Sequence, residues 1–133
     1  MDHVLGLRCT LCGAEYGVDE IQYVCPRHGD DGIVDVCYDY GRIRGHVQRA
    51  SFASKRIASM WRYKELLPVH ADAPVPPLRV GWTPLYPAPR LAAQLGLQHV
   101  WVKDDGQNPT ASFKDRASAM AVVKAQEAGA EIV

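Results

Sequence analysis

Apolar and polar positions along the chain change period several times, and each change marks an element. Ile33-Val34-Asp35-Val36-Cys37-Tyr38 alternates and predicts a strand. Arg42 to Arg49 is polar and basic without a clear period and reads as a connector. From about Ser54 to Leu67, apolar Ile57, Ala58, Trp61, Leu66 and Leu67 fit an amphipathic helix, with Ser51 or Ser54 as its cap and Pro68 as its stop. Its basic face, Lys55, Arg56, Arg62 and Lys64, reads as solvated. The proline-rich stretch from Asp72 to Pro77 predicts an extended linker. Gly81-Trp82-Thr83-Pro84-Leu85 then turns the chain into a short helix, Arg90 to Leu95, ended by Gly96. Gln98 to Lys103, with β-branched and aromatic residues and no breaker, predicts a short buried strand. Beyond it, Phe113, Ala117, Met120, Ala121, Lys124 and Ala128 recur at steps of three and four, which predicts a helix lying on a sheet and ended by Gly129. Glu131-Ile132-Val133 reads as the start of the next parallel strand, which needs neighbours, so these residues are expected to be the front of a longer protein.

These elements divide the chain into a small β segment over residues 1–40, a helical connector and linker over 41–80, and the beginning of an α/β domain over 81–133. With 133 residues and 47% hydrophobic content, the composition is that of a soluble globular protein. Fifteen basic and fifteen acidic residues cancel, and no dense Lys/Arg run occurs, which argues against nucleic acid or an anionic membrane as partner. The N-terminal residues lack a basic stretch followed by an apolar one, and no apolar run approaches a membrane span, so a cytoplasmic protein is expected. In that compartment four cysteines point to metal or free thiols, not to a disulfide framework.

Two short turns carry the metal chemistry. Cys9-Thr10-Leu11-Cys12-Gly13 and Cys25-Pro26-Arg27-His28-Gly29 each place two ligands close together, and each is followed by a glycine that permits a tight backbone. This is zinc-ribbon spacing, with Cys9, Cys12, Cys25 and His28 closing a structural Cys₃His site and Tyr16 to Val24 forming a hairpin between the turns. Cys37 competes with His28 for the fourth place, although its alternating surroundings suit a strand. The alternative is a set of incidental thiols.

The other chemistry lies in Asp104 to Arg116. Gly106, Asn108 and Pro109 force a loop after the strand. Ser112 with Asp115 three residues on forms a capping-box pattern, which predicts Ser112 as N-cap and Phe113 and Lys114 in the first helical turn. An ammonium group there is opposed by the helix dipole and further by burial, which favours the unprotonated amine that attacks carbonyls. Phe113 could offer an aromatic face to a flat heterocycle, and a strand, loop and helix start together form a common place for phosphorylated ligands. A solvated surface lysine and a core phenylalanine are the plainer alternatives.

Ser112-Phe113-Lys114-Asp115-Arg116, preceded by Lys103 to Thr110, by Gly81 to Leu85 and by Ser59-Met60-Trp61-Arg62-Tyr63-Lys64-Glu65-Leu66-Leu67-Pro68, resembles the threonine synthase family of pyridoxal-phosphate fold type II enzymes. The resemblance implies the start of a three-layer α/β domain of the tryptophan synthase β-like type behind a zinc-ribbon-like segment. It implies pyridoxal 5'-phosphate held as a Schiff base on Lys114, with Phe113 beside it, and conversion of O-phospho-L-homoserine and water to L-threonine and phosphate. It further implies a small-molecule substrate, a homodimer at full length and a structural zinc, since some members carry such a head and others have a cysteine where His28 stands. Asp115 and Arg116 are expected to hold the helix start and not to touch substrate. No glycine-rich phosphate cradle occurs in these residues, so the chain alone is expected to be inactive. A threonine or serine dehydratase and a non-catalytic zinc-binding interaction module are the rival readings.

Overall fold

The computed structural model describes residues 1–131, so the strand expected at Glu131 to Val133 lies outside the described residues from Ile132 on. The chain forms two compact units, one of residues 1–54 with 63–71, the other of residues 55–62 with 72–133.

The first unit is built on strands β1 (Val4–Cys9), β2 (Glu15–Tyr16) and β3 (Val34–Tyr38), in the order β2-β1-β3 and antiparallel throughout. The alternation over Ile33 to Tyr38 thus does form a strand. The hairpin expected over Tyr16 to Val24 does not form. Its second arm is reduced to a single bridge, Val24 to Ile33, because β2 ends at Tyr16 and bends and turns follow. Helix α1 (Tyr40–His46) occupies the stretch read as an aperiodic connector, and the Asp39 carboxylate accepts from the Arg42 amide at 2.8 Å to start it. Helix α2 (Arg49–Ser54) follows. His3 donates through Nε2 to the Leu67 carbonyl at 2.8 Å and stacks on Tyr38, whose hydroxyl is shifted upward by burial and then by Tyr40.

The amphipathic helix expected over Ser54 to Leu67 is absent. Lys55 to Ser59 is irregular, and Met60–Leu66 is a 3₁₀ segment broken at Tyr63 (φ −103°, ψ 20°). Its backbone bonds go elsewhere: the Met60 amide reaches the Val80 carbonyl at 2.7 Å. Arg62, read as part of a solvated face, is only 5% exposed and lies 3.9 Å above the Trp82 ring. Cation–π attraction to the half-exposed Trp82 ring offsets part of the cost of that burial.

In the second unit, β4 (Leu85–Pro87) pairs antiparallel with β5 (Trp101–Lys103), and α3 (Pro89–Leu95) between them ends on Gly96 in the left-handed conformation (φ 65°). The strand expected over Gln98 to Lys103 is shorter than its pattern and not buried: Trp101 is 53% exposed, with only β4 beside it among the described residues. Helix α4 (Asp115–Glu127) forms as expected, with Gly129 just past its end, but its buried face is Ala119 and Val123, flanked by half-buried Arg116 and Met120. Ala117 and Ala121 are exposed. Steps of three and four fit both stripes, and the Arg116 anchor described below selects the observed one. No helix among the described residues is long and apolar enough to cross a membrane.

Candidate functional site

Lys114 stands at the junction of a loop and α4, and the loop is held from both ends. Asp104 accepts the Gly106 amide at 3.2 Å and opens a 3₁₀ turn over Asp105–Gln107. Asp105 receives Arg116 through two bonds, Nε to Oδ2 at 3.0 Å and Nη2 to Oδ1 at 2.9 Å, and the Thr83 hydroxyl at 2.6 Å. Lys103 donates to the Thr83 carbonyl. Arg116, then Thr83, hold the Asp105 carboxyl well below the usual carboxylate range, and Asp105 in turn raises Arg116. Asn108, 5% exposed, accepts the Gly81 amide at 2.9 Å and donates to the Asp105 carbonyl at 2.9 Å. A Cβ at Gly81 would meet Arg116 Nη1 at 2.8 Å, and Gly81 lies at φ 78°, so only glycine suits that crossing.

The capping expected of Ser112 is corrected. Helix α4 starts at Asp115, with Lys114 in the N-cap position and no side-chain cap. Ser112 Oγ accepts from the Lys114 amide at 3.2 Å, while the Asp115 carboxylate turns back to the Thr110 amide at 2.9 Å and hydroxyl at 2.5 Å. That local bond to the loop replaces the reciprocal bond of a capping box. Ala111 between them is left-handed (φ 56°). Lys114 and Phe113 are both exposed, Phe113 by 67%, so the burial expected of the lysine is not found in this chain. The geometry supplies a primary amine, open to approach, at the end of a loop fixed by an ion pair. That donor suits a carbonyl cofactor.

The second cluster joins two turns, Cys9 to Gly13 at the end of β1 and Cys25 to Gly29. The ligand atoms of Cys9, Cys12, Cys25 and His28 all lie within 4.8 Å of one another, and Cys37 is not among them. Cys9 Sγ is 3.8 Å from His28 Nδ1, and Cys12 Sγ is 4.0 Å from Cys25 Sγ. A zinc tetrahedron with Zn–S near 2.3 Å has edges of about 3.8 Å, so the donor set fits that ion in kind and spacing. Gly13 (φ 71°) and Gly29 (φ 53°) close the two turns in the left-handed conformation. Thr10 and Cys25 amides bond the Ile33 and Gly32 carbonyls at 3.0 and 2.8 Å, bringing the turns together in place of the expected hairpin.

Sequence reasoning missed the hydroxyl of Tyr16, which lies 3.0 Å from Cys25 Sγ. That bond, followed by His28 and the Arg27 amide, pulls the Cys25 thiol down to about 6, and the same bond with burial pushes Tyr16 up to about 12. The Ala14 amide lowers the Cys12 thiol, but burial and the Cys9 and Cys25 sulfurs raise it on balance.

Residues 77–133 match the family model described as pyridoxal-phosphate dependent enzyme. Threonine synthase from Methanocaldococcus jannaschii is 40% identical over 126 residues, and that from Methanosarcina acetivorans 42% over 127, covering 95% and 96% of this chain. The chain is similar to the N-terminal portion of threonine synthase. It spans 30% of the length of each of those two relatives. A threonine synthase from Synechocystis is 50% identical over 82 residues, covering 57% of this chain and 22% of its own. No solved structure matches the chain.

Proposed function

We propose that this chain is part of a pyridoxal-phosphate dependent lyase that converts O-phospho-L-homoserine and water to L-threonine and phosphate. The observation that carries the reading is the 40–42% identity to threonine synthases over 95–96% of the chain. Lys114 supplies the amine that holds the cofactor, and Phe113 offers a ring beside it. When bound, pyridoxal phosphate supplies an electron sink for carbanions next to the substrate nitrogen. The Lys114 amine would take and return protons at the substrate α, β and γ carbons, within reach of a side chain of that length. Asp105, Arg116 and Thr83 fix where that amine stands and do not touch substrate.

The head binds a structural zinc through Cys9, Cys12, Cys25 and His28, a closed set that leaves no open position for catalysis. The metal-bearing segment covers 1–40, the connector 41–80, and the cofactor-binding domain begins at 81. The full-length protein is a cytoplasmic homodimer with a small-molecule substrate and no nucleic-acid or membrane partner. The 133 residues alone do not turn over substrate, because they hold no glycine-rich cradle for the cofactor phosphate.

Borohydride reduction of a full-length protein carrying this chain, followed by peptide mapping, tests the lysine. A pyridoxyl label on Lys114 is expected, and a label elsewhere sinks the assignment. Phosphate released from phosphohomoserine, with no keto acid released from threonine, separates the synthase from a dehydratase.

A further inference from the structure

Tyr16 carries no task in the zinc reading, yet the sheet is built to bring its hydroxyl to a ligand. Tyr16 pairs with Leu7 across β1 and β2. At the neighbouring Gly6, a Cβ would stand 2.5 Å from the Tyr16 carbonyl oxygen, so β2 can lie this close only because residue 6 has no side chain. The approach leaves the phenol hydroxyl 3.0 Å from Cys25 Sγ, and Cys25 has no exposed surface. Water therefore cannot solvate that sulfur, and its donors must come from the protein.

We propose that Tyr16 is a positioning residue of the metal site, its hydroxyl donating to Cys25 Sγ and fixing that sulfur as a zinc ligand. This rests on the zinc reading above. Three thiolates around a divalent ion leave a net negative centre, and a buried anion is held by the hydrogen bonds it accepts. A donor on Cys25 spreads the sulfur's charge, which stabilises the loaded site and makes the coordinated sulfur less reactive toward electrophiles. The Arg27 amide makes a bond of the backbone kind that any residue supplies. The phenol is a side-chain donor, and substitution removes it cleanly.

The experiment compares the 133-residue chain with its Tyr16→Phe form, using Tyr86→Phe as a control that removes an exposed hydroxyl from the other unit. Zinc affinity, read by competition with a chromophoric chelator, is expected to fall about 10–100-fold in Tyr16→Phe and to hold in the control. With cobalt in place of zinc, the sulfur-to-metal charge-transfer band is expected to move in Tyr16→Phe, a shift that loss of packing alone does not produce. Alkylation of zinc-loaded Cys25, mapped by mass spectrometry, is expected to quicken. Wild type loaded with a spin-½ cadmium isotope needs no variant: the Tyr16 hydroxyl proton is expected to show scalar coupling to the metal. Equal affinity and an unmoved cobalt band in Tyr16→Phe, or no coupling in the cadmium form, overturn the proposal while leaving zinc binding intact. Failure of wild type to bind one zinc overturns both.

Discussion

Asp105 and Arg116 meet as a two-point ion pair, with Nε to Oδ2 at 3.0 Å and Nη2 to Oδ1 at 2.9 Å, between the two ends of the loop that precedes Lys114. The pair ties the first turn of α4 to the exit of β5, and Thr83 adds a third bond on the same carboxylate. Arg116→Lys keeps the charge but loses the planar fork that makes both bonds at once. The expected outcome is faster hydrogen exchange over residues 104–116 and at the Gly81 amide, which bonds the Asn108 side chain, with α3 unchanged. Exchange equal to wild type in that segment would show that the loop holds itself.

The same pair sets a pH dependence. Arg116 and Thr83, with Lys103 nearby, hold the Asp105 carboxyl below its ordinary value. A carboxyl depressed in the folded state stabilises it fully above the unfolded pKa, about 3.9, and loses that contribution as pH falls toward the folded value. The stability advantage of wild type over Asp105→Asn is therefore expected to be flat from neutral pH down to about 4 and to close below it. Denaturant melts of both proteins along a pH series check this. A gap that closes between pH 6 and 8 would assign it to another group.

Local signals of the sequence survived where a backbone rule acts alone. Gly96 ends α3 and Gly129 follows α4 because glycine accepts a left-handed turn, and Gly13 and Gly29 close the cysteine turns for the same reason. What the pattern could not carry was tertiary choice. The residues from Ser54 to Leu67 have enough apolar positions for a helix, yet Arg62 is drawn onto Trp82 and Met60 bonds Val80, twenty residues away in sequence in each case. Likewise Asp115 had two acceptable partners, and Thr110 won over the capping box. That Cys9, Cys12, Cys25 and His28 would cluster was legible from spacing, whereas the Asp105–Arg116 fork and the Tyr16 hydroxyl join residues whose separation along the chain signals nothing.

Ala111 lies in the left-handed region (φ 56°) with its amide on the Asn108 carbonyl at 2.9 Å. An alanine there opposes its own Cβ by about 1–2 kcal/mol, of which glycine recovers part at the expense of a freer unfolded chain. Ala111→Gly is therefore expected to stabilise the second unit by roughly 0.5–1 kcal/mol, read from chemical denaturation. A destabilised variant would mean that the alanine methyl makes a contact outweighing the strain.

The first unit is short of hydrocarbon. Among its residues the buried apolar side chains are Cys9, Cys25 and Val69, while Leu5, Leu11, Tyr23 and Ile33 are each more than half exposed. Two of those three interior groups are sulfurs, so β1 and the turns that bear it lack the apolar area that steadies larger domains. Metal binding can supply the difference, since structural zinc contributes on the order of 10 kcal/mol to small folds near neutral pH. Removing metal with a chelator is expected to unfold the β1–β3 sheet and to leave α4 protected, with zinc alone restoring the sheet. The ligand set can be read in the same experiment. Cys37 sits on β3 opposite Gly6 and outside the cluster, so Cys37→Ser is expected to retain one zinc per chain. Cys25→Ser and His28→Ala each break the tetrahedron and are expected to lose the metal at chelator concentrations that wild type resists. Retention by His28→Ala together with loss by Cys37→Ser would exchange the fourth ligand. Protection of the sheet unchanged by chelation would mean that hydrogen bonds and the sulfurs' own packing suffice without an ion.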